Sequence, residues 1–208
     1  FARDPWKSVD DLAASGDRLW SDFERQFGSG WRVRTHPRAL PPDWIVGPGF
    51  DLGGPIAAGD AGIAAARALL DRCLEVLGGG SPGALVLDRA VGTPNPYGQE
   101  SLGIAFRQTH AGYPVRTPEG DAGALLVFNG TAGRLAALHS SLIRDVEVAT
   151  PPSRPLESAV AGALGRALAE PAASVTLFRA ETFVLARSLR DVRLVHEVQV
   201  QTEGPPHL

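Results

Sequence analysis

The sequence predicts an α+β fold of antiparallel sheets with packed helices, and three observations carry that expectation. Between Ser101 and Leu142, apolar and polar residues alternate, with turn residues wherever the alternation breaks; this is the period of half-buried strands. Between Asp60 and Leu77 the period changes, and Ile63, Ala66, Leu70, Cys73, Leu74 and Leu77 fall on one face of a helix. Past the proline-rich stretch Thr150–Pro155, a short amphipathic run and further alternating segments repeat the combination on a smaller scale.

In chain order, Leu12, Leu19, Phe23 and Phe27 recur near helical spacing beside Trp20, and Gly28 and Gly30 stop the run. Trp31–Thr35 alternates as a strand does, Trp44-Ile45-Val46 reads as its partner, and the Gly/Pro cluster from Gly47 to Pro55 is expected to end it. Asp60 is placed to cap the long helix, whose apolar face makes Cys73 a core residue. Ala84–Val91 is a strand candidate. Ile104, Phe106 and Gln108 then project to one side of the next strand and Ala105, Arg107 and Thr109 to the other. Gly112 supplies the positive φ of a tight turn, with Pro114 near the following strand start. Ala124–Phe128 and Arg134–Leu138 flank Asn129-Gly130, the strongest short-range hairpin signal in the chain. Asn129-Gly130-Thr131 also matches a glycosylation sequon, but the turn by itself accounts for both residues.

Leu156, Val160, Ala163, Leu164 and Ala167 predict a helix, followed by strands over Ser174–Phe178, Thr182–Ala186 and Val192–Val200, with the folded unit ending near Val200. The expected organisation is an N-terminal helix and hairpin over residues 1–57, a main domain over 58–150 and a small domain over 151–208.

The chain has 208 residues, 44% of them apolar, enough to bury real cores. Twenty Lys and Arg stand against 23 Asp and Glu, for a net charge of −3, and no basic run is present. A row of phosphates would go unneutralised, so nucleic acid is not an expected partner. No stretch approaches the roughly 20 apolar residues of a membrane span. A single cysteine, Cys73, excludes an intrachain disulfide and a Cys-based zinc site. The lack of Met and the first residue, Phe1, lead us to expect a processed or excised piece.

Catalytic patterns fail on their own terms. Gly79-Gly80-Ser81-Pro82-Gly83 has the spacing of a nucleophile elbow, but its order is helix to strand. Pro82 also has no N–H to offer an oxyanion. His196-Glu197 opens an H-E-x-x-H that Val200 does not close. His139, Ser140, Ser141 and Asp145 hold the residue types of a triad, but neighbours in one strand face alternate sides. The five histidines are scattered, without an i, i+4 pair. We expect no catalytic residue, no metal site and no cofactor.

The segment "IAFRQTHAGYPVRTPEGDAGALLVFNGTAGRLAAL" resembles the FTP domain, the propeptide module of fungalysin- and thermolysin-like zinc metalloproteases. Phe106, Gln108, Gly112, Tyr113, Pro114 and Val115 sit where that module carries its aromatic, Gln and G-x-P-V positions, and Asn129-Gly130 sits at its hairpin tip. The stretch after Pro155 is similar to a PepSY module, without the closing strand such modules carry. The resemblance implies cystatin-like FTP and PepSY-type folds and a secreted or periplasmic pro-region. It implies a role as intramolecular chaperone and inhibitor whose partner is the cognate zinc metalloprotease domain. The alternative is a stand-alone secreted or periplasmic module that binds proteins or peptides. In either case the eight motif residues are expected to be structural, with Gln108 bonded to backbone in or near the Gly112 turn.

Overall fold

The computed structural model describes residues 6–35, 42–77, 85–94, 100–130, 132–143, 146–148, 151–169, 174–188 and 191–203. In chain order the elements are β1 (Trp6–Ser8), α1 (Val9–Ala14), α2 (Arg18–Phe27), β2 (Arg32–Thr35), β3 (Pro42–Asp51) and α3 (Asp60–Cys73), then β4 (Leu85–Pro94), β5 (Glu100–His110), β6 (Tyr113–Thr117), β7 (Gly120–Asp121), β8 (Gly123–Asn129) and β9 (Arg134–Ser140), and last α4 (Leu156–Leu168), β10 (Ser174–Ser188) and β11 (Asp191–Glu203). They divide into two compact units, Phe1–Thr109 with Asp121–Asp145, and His110–Gly120 with Val146–Leu208. The break expected at 57/58 falls inside the first unit, because β3 pairs with β9, Ile45 opposite Leu138.

The expected α+β class with helix-packed, cystatin-like modules is overturned. Of the 169 described residues, 87 lie in strands and 43 in helices. The pairing is also mixed, since β6 runs parallel to β10. Strands are longer than the sequence pattern suggests, for identifiable reasons. β3 continues through Gly47 to Asp51, although glycine there reads as a terminator. A Cβ on Gly47 would lie 2.3 Å from the Trp31 ring, so this glycine serves the packing of a core indole within the strand. At the other end of the chain, Ser174–Phe178 and Thr182–Ala186 are one strand, because Arg179, Ala180 and Glu181 stay paired with Gln199, Val198 and Glu197. β11 runs past Val200, pairing Glu203 with Ser174.

In the first unit the strand order is β1-β2-β3-β9-β8-β5-β4, with every neighbouring pair antiparallel. One cross-strand row, Val33–Ile45–Leu138–Leu126–Ile104, is fully buried. Helix α3 adds Ala66, Leu69, Leu70 and Cys73 to the same cluster, and α2 adds Trp20, Phe23 and Phe27. The N-terminal helical segment is interrupted after Ala14, and Asp17 restarts it by accepting the Leu19 N–H at 3.0 Å. Phe23 then meets Trp31 edge-on at 5.6 Å, and Trp31 Nε1 donates to the Phe27 carbonyl at 3.0 Å, so the buried indole keeps its hydrogen bond. Gly59, not Asp60, is the N-cap of α3, without a side-chain bond. Burial pushes the Cys73 thiol up to about 12, which makes it an inert core residue.

In the second unit β10 and β11 form a hairpin of 15 and 13 residues, and Val115 of β6 lies opposite Val184. Arg116 donates to Glu181 at 2.7 Å and Glu197 at 3.1 Å, with its guanidinium 4.2 Å from the Phe183 ring centroid. His196 bridges Thr182 Oγ1 (2.7 Å) and the Arg154 carbonyl (2.6 Å), tying the stretch before α4 to β11. Of the apolar face predicted for α4, Ala167 is buried and Leu156, Val160, Ala163 and Leu164 are half-buried.

Gly133 tests the packing of the first unit. Its φ is +60°, and an added Cβ would come within 1.6 Å of the Gly54 carbonyl oxygen. Gly133→Ala is expected to destabilise the chain by more than about 2 kcal/mol, read as a lower denaturant midpoint at unchanged slope.

Candidate functional site

The residues of the sequence motif are divided between the two units. Phe106 is buried on β5 beneath the Arg67 guanidinium, which lies 4.8 Å from its ring centroid and donates to the Leu85 carbonyl at 3.1 Å. That arrangement ties α3 to β4 and β5. Gln108 is 5% exposed. Its Nε2 donates to the Ile143 carbonyl at 2.7 Å, and its Oε1 accepts the Ile143 N–H at 2.9 Å. The side-chain amide thus acts as a strand neighbour for residue 143, while the Gln108 N–H donates to the Ala122 carbonyl at 2.8 Å. The expected bond to the Gly112 turn is replaced by a bond to a segment 35 residues away. Sequence spacing carries no signal for it.

Gly112 has φ +84° and would meet nothing within 4 Å if given a Cβ; backbone conformation alone calls for glycine. Ala111 before it is also left-handed, φ +48°, so both central residues of the turn have positive φ, as in type I′. Tyr113 and Pro114 are half-buried and Val115 is buried. Asn129-Gly130 is not the two-residue turn its composition predicts. β8 and β9 pair Asn129 with Arg134, so the connection is longer, with its positive φ at Gly133. Asn129 Oδ1 accepts the Ala132 N–H at 3.1 Å, and the Gly130 carbonyl accepts the Ile56 N–H at 3.0 Å.

Among the described residues, no group of three or more His, Cys, Asp and Glu is placed to hold a metal ion. The Gly79–Gly83 stretch lies outside the described residues, as do Asp145, His36 and His207. His139 is half-buried and Ser140 buried, on opposite sides of β9, and Ser140 Oγ donates to the Leu77 carbonyl at 2.9 Å. His139 and Ser140 therefore do not face each other.

Side chains that the motif reading missed converge on the other face of the first unit's sheet. The register aligns Trp6, Arg34, Trp44, His139, Leu125, Ala105 and Arg89 in one row. Arg32, Val46, Ala137, Val127, Gly103 and Val91 form the next row. The Trp44 and His139 rings lie with centroids 4.8 Å apart, tilted by 53°. Arg32 and Arg34 lie over Trp6 at 5.9 and 5.6 Å. A register shift after Arg34 brings Asp43 to this face, where it pairs with Arg34 at 2.9 Å. Arg107 pairs with Asp88, the residue passed over in the β4 bulge, at 2.8 Å. The alternation of Trp31-Arg32-Val33-Arg34 already separates two arginines from the core; bringing them beside Trp6 and His139 takes the sheet.

The fold and this surface define a mostly β, two-unit protein with a helix-covered sheet face and an arginine- and tryptophan-bearing one. No family model, curated protein or solved structure matches the chain.

Two measurements probe these assignments. Gln108→Leu removes both partners of the Ile143 backbone and is expected to cost about 1–3 kcal/mol, and Gln108→Glu, which turns a buried carboxylate oxygen toward the Ile143 carbonyl, should cost at least as much at neutral pH. Burial lowers the pKa of the His139 imidazole below its ordinary value, with Asp43 opposing and Arg34 reinforcing the shift. The unfolded chain therefore binds the proton more readily, and stability should fall as pH drops through about 6.5 and level off below the folded-state value. Denaturant unfolding between pH 8 and pH 5, compared with His139→Gln, should show this slope in the parent and a flatter curve in the variant.

Proposed function

We propose that the chain is a non-catalytic protein-binding module that serves as the pro-region of a fungalysin/thermolysin-like zinc metalloprotease, assisting its folding and blocking its cleft. The observation that carries the reading is the edge of the first unit's sheet. β4 pairs with β5 alone among the described strands, and it displays Val86, Leu87 and Val91 at 43, 41 and 51% exposure. Such an edge offers unpaired backbone groups and apolar contacts to an extended segment of a partner. The bulge between Leu87 and Arg89 breaks the regular ladder and guards against indiscriminate pairing. The choice of a metalloprotease rests on the likeness of the Phe106–Val115 and Asn129-Gly130 segments to propeptide motifs, and it requires no cystatin-like fold.

The test is to titrate the full chain into a purified thermolysin-type zinc endopeptidase and follow peptide hydrolysis. Stoichiometric inhibition is expected, weakened at least tenfold by the double substitution Leu87→Lys, Val91→Lys, which places charges on the edge. Absence of inhibition by the parent chain would leave the stand-alone binding module as the reading.

A further inference from the structure

We infer that the outer edge of β4 pairs with the β4 edge of a second copy of this chain, antiparallel about a two-fold axis that passes between Asp88 and Arg89. Such self-pairing uses the edge assigned above to a partner strand and rests on that reading of β4, but not on the protease as partner.

Strand β4 pairs with β5 and with no other described strand. Its edge is apolar, since Val86, Leu87 and Val91 are exposed and none of them belongs to the core cluster. Lys or Pro within the strand would ordinarily blunt such an edge, and between Leu85 and Gly92 there is neither. What β4 carries instead is the bulge at Asp88. It sets two opposite charges side by side away from the core, because Arg89 lies opposite Ala105 and Asp88 reaches Arg107.

The bulge selects the partner. Across β5, the Asp88-Arg89 step meets the single residue Ala105. A regular strand on the outer edge would also set one residue against two, and no one side chain complements both an acid and a base. A second copy sets two against two. With the axis between Asp88 and Arg89, each Asp88 faces the second copy's Arg89, Leu87 faces Ala90, Val86 faces Val91 and Leu85 faces Gly92. Residues directly opposite in an antiparallel ladder share a face. The β5 register puts Val86 and Val91 on the open face, opposite Arg107 and Gly103, and Leu87 and Ala90 on the core side, opposite Phe106 and Ile104. Apolar residues therefore meet apolar residues on both faces. In a strand without a bulge, an axis between consecutive residues would set each side chain against one on the other face, so the extra residue is what makes this edge self-complementary.

Charge favours the same arrangement. Arg89 is exposed and has no ion pair among the described residues. Asp88 accepts from Arg107 Nη2 at 2.8 Å through Oδ1, and a carboxylate has lone pairs on both oxygens. Oδ2 is left for the second copy's Arg89 without loss of the Arg107 bond, and two charge-assisted contacts then flank the axis. Pairing along one strand covers less than the roughly 800 Å² per partner of a standard interface, so a weak, concentration-dependent dimer is expected.

The experiment is sedimentation of the full chain over about 5–500 μM, a range that brackets weak association. The parent should shift from monomer to dimer across it. Arg89→Asp gathers four carboxylates at the axis, Asp88→Arg gathers four guanidinium groups, and each alone should weaken the dimer at least tenfold. An equimolar mixture of the two variants should recover it, because every Asp then faces an Arg, and chains that recover pairing together are both folded. If Asp88→Arg loses its folded circular dichroism spectrum with its Arg107 bond, Arg89→Asp alone decides. Leu177→Ser with Phe178→Ser, at exposed apolar residues of the second unit, should leave the dimer unchanged. A parent chain that stays monomeric, a folded charge variant that dimerises like the parent, a mixture of folded variants without recovery, or loss of the dimer in the second-unit variant would overturn the inference. No protease enters this measurement, so failed inhibition and failed self-pairing are separate results.

Discussion

The row Val33–Ile45–Leu138–Leu126–Ile104 crosses five strands with no side chain open to water, and the first unit depends on it. Strand side chains alternate with a period of two, so a slip of one residue in any strand would carry that strand's core residues to the other face. Each buried Leu or Ile is worth about 1.5–3 kcal/mol relative to exposure, so such a slip costs several of these at once. The same register lines up Trp6, Arg34, Trp44 and His139 on the other side. The inner and outer faces are two consequences of one constraint.

Beside this row, aromatic rings join α2 and α3 to Trp31 and to Phe50 of β3. Phe23 touches Trp31 and Phe27, and Phe27 touches Phe50 of β3 at 5.1 Å, so α2 is held through ring edges as well as buried area. Arg72 of α3 places its guanidinium 4.8 Å from the Phe27 ring and 5.2 Å from Phe50, covering this cluster with an alkyl stem and a charge. The Arg34–Asp43 and Arg107–Asp88 pairs are partly exposed and contribute about 0–1 kcal/mol each to stability. Their consequence is positional: each holds an arginine on the open face at a place where a bulge has turned an aspartate toward it.

Strand polarity was legible wherever a residue's neighbours in sequence decide its environment. The separation of Ile104, Phe106 and Gln108 from Ala105, Arg107 and Thr109 matches the burial along β5, because alternation is a local property of extended chain. Gly112 was legible for the same reason: positive φ is a single-residue demand. Gln108 was legible only as a polar residue on an apolar face, since Ile143, which bonds it, is brought near by the return of the chain after β9. Asn129-Gly130 misled because the hairpin rule assumes a free two-residue turn, whereas this loop also carries bonds to Leu52 and Ile56 and closes through Gly133. The class was misjudged because Gly47 and the polar stretch Arg179–Glu181 read as strand ends. In the folded chain, the Trp31 ring and the β11 ladder keep both within strands.

The sequence by itself determined a helix starting at Asp60, although its expected end at Leu77 lies four residues beyond the observed end at Cys73, together with the alternating faces of β5 and β8, the core position of Cys73 and the need for glycine at 112. These follow from periodicity and single-residue conformation, which act within a few residues. Only the tertiary structure decided the strand order that joins β3 to β9, the extension of β10 through its charged centre and the pairing of Gln108 with the backbone of residue 143. It alone gathered Trp6, Arg34, Trp44 and His139, four residues spread over more than 130 positions, onto one open face. Such contacts depend on chain segments whose meeting is rewarded only when the whole sheet closes its core, and no local window of sequence contains that condition.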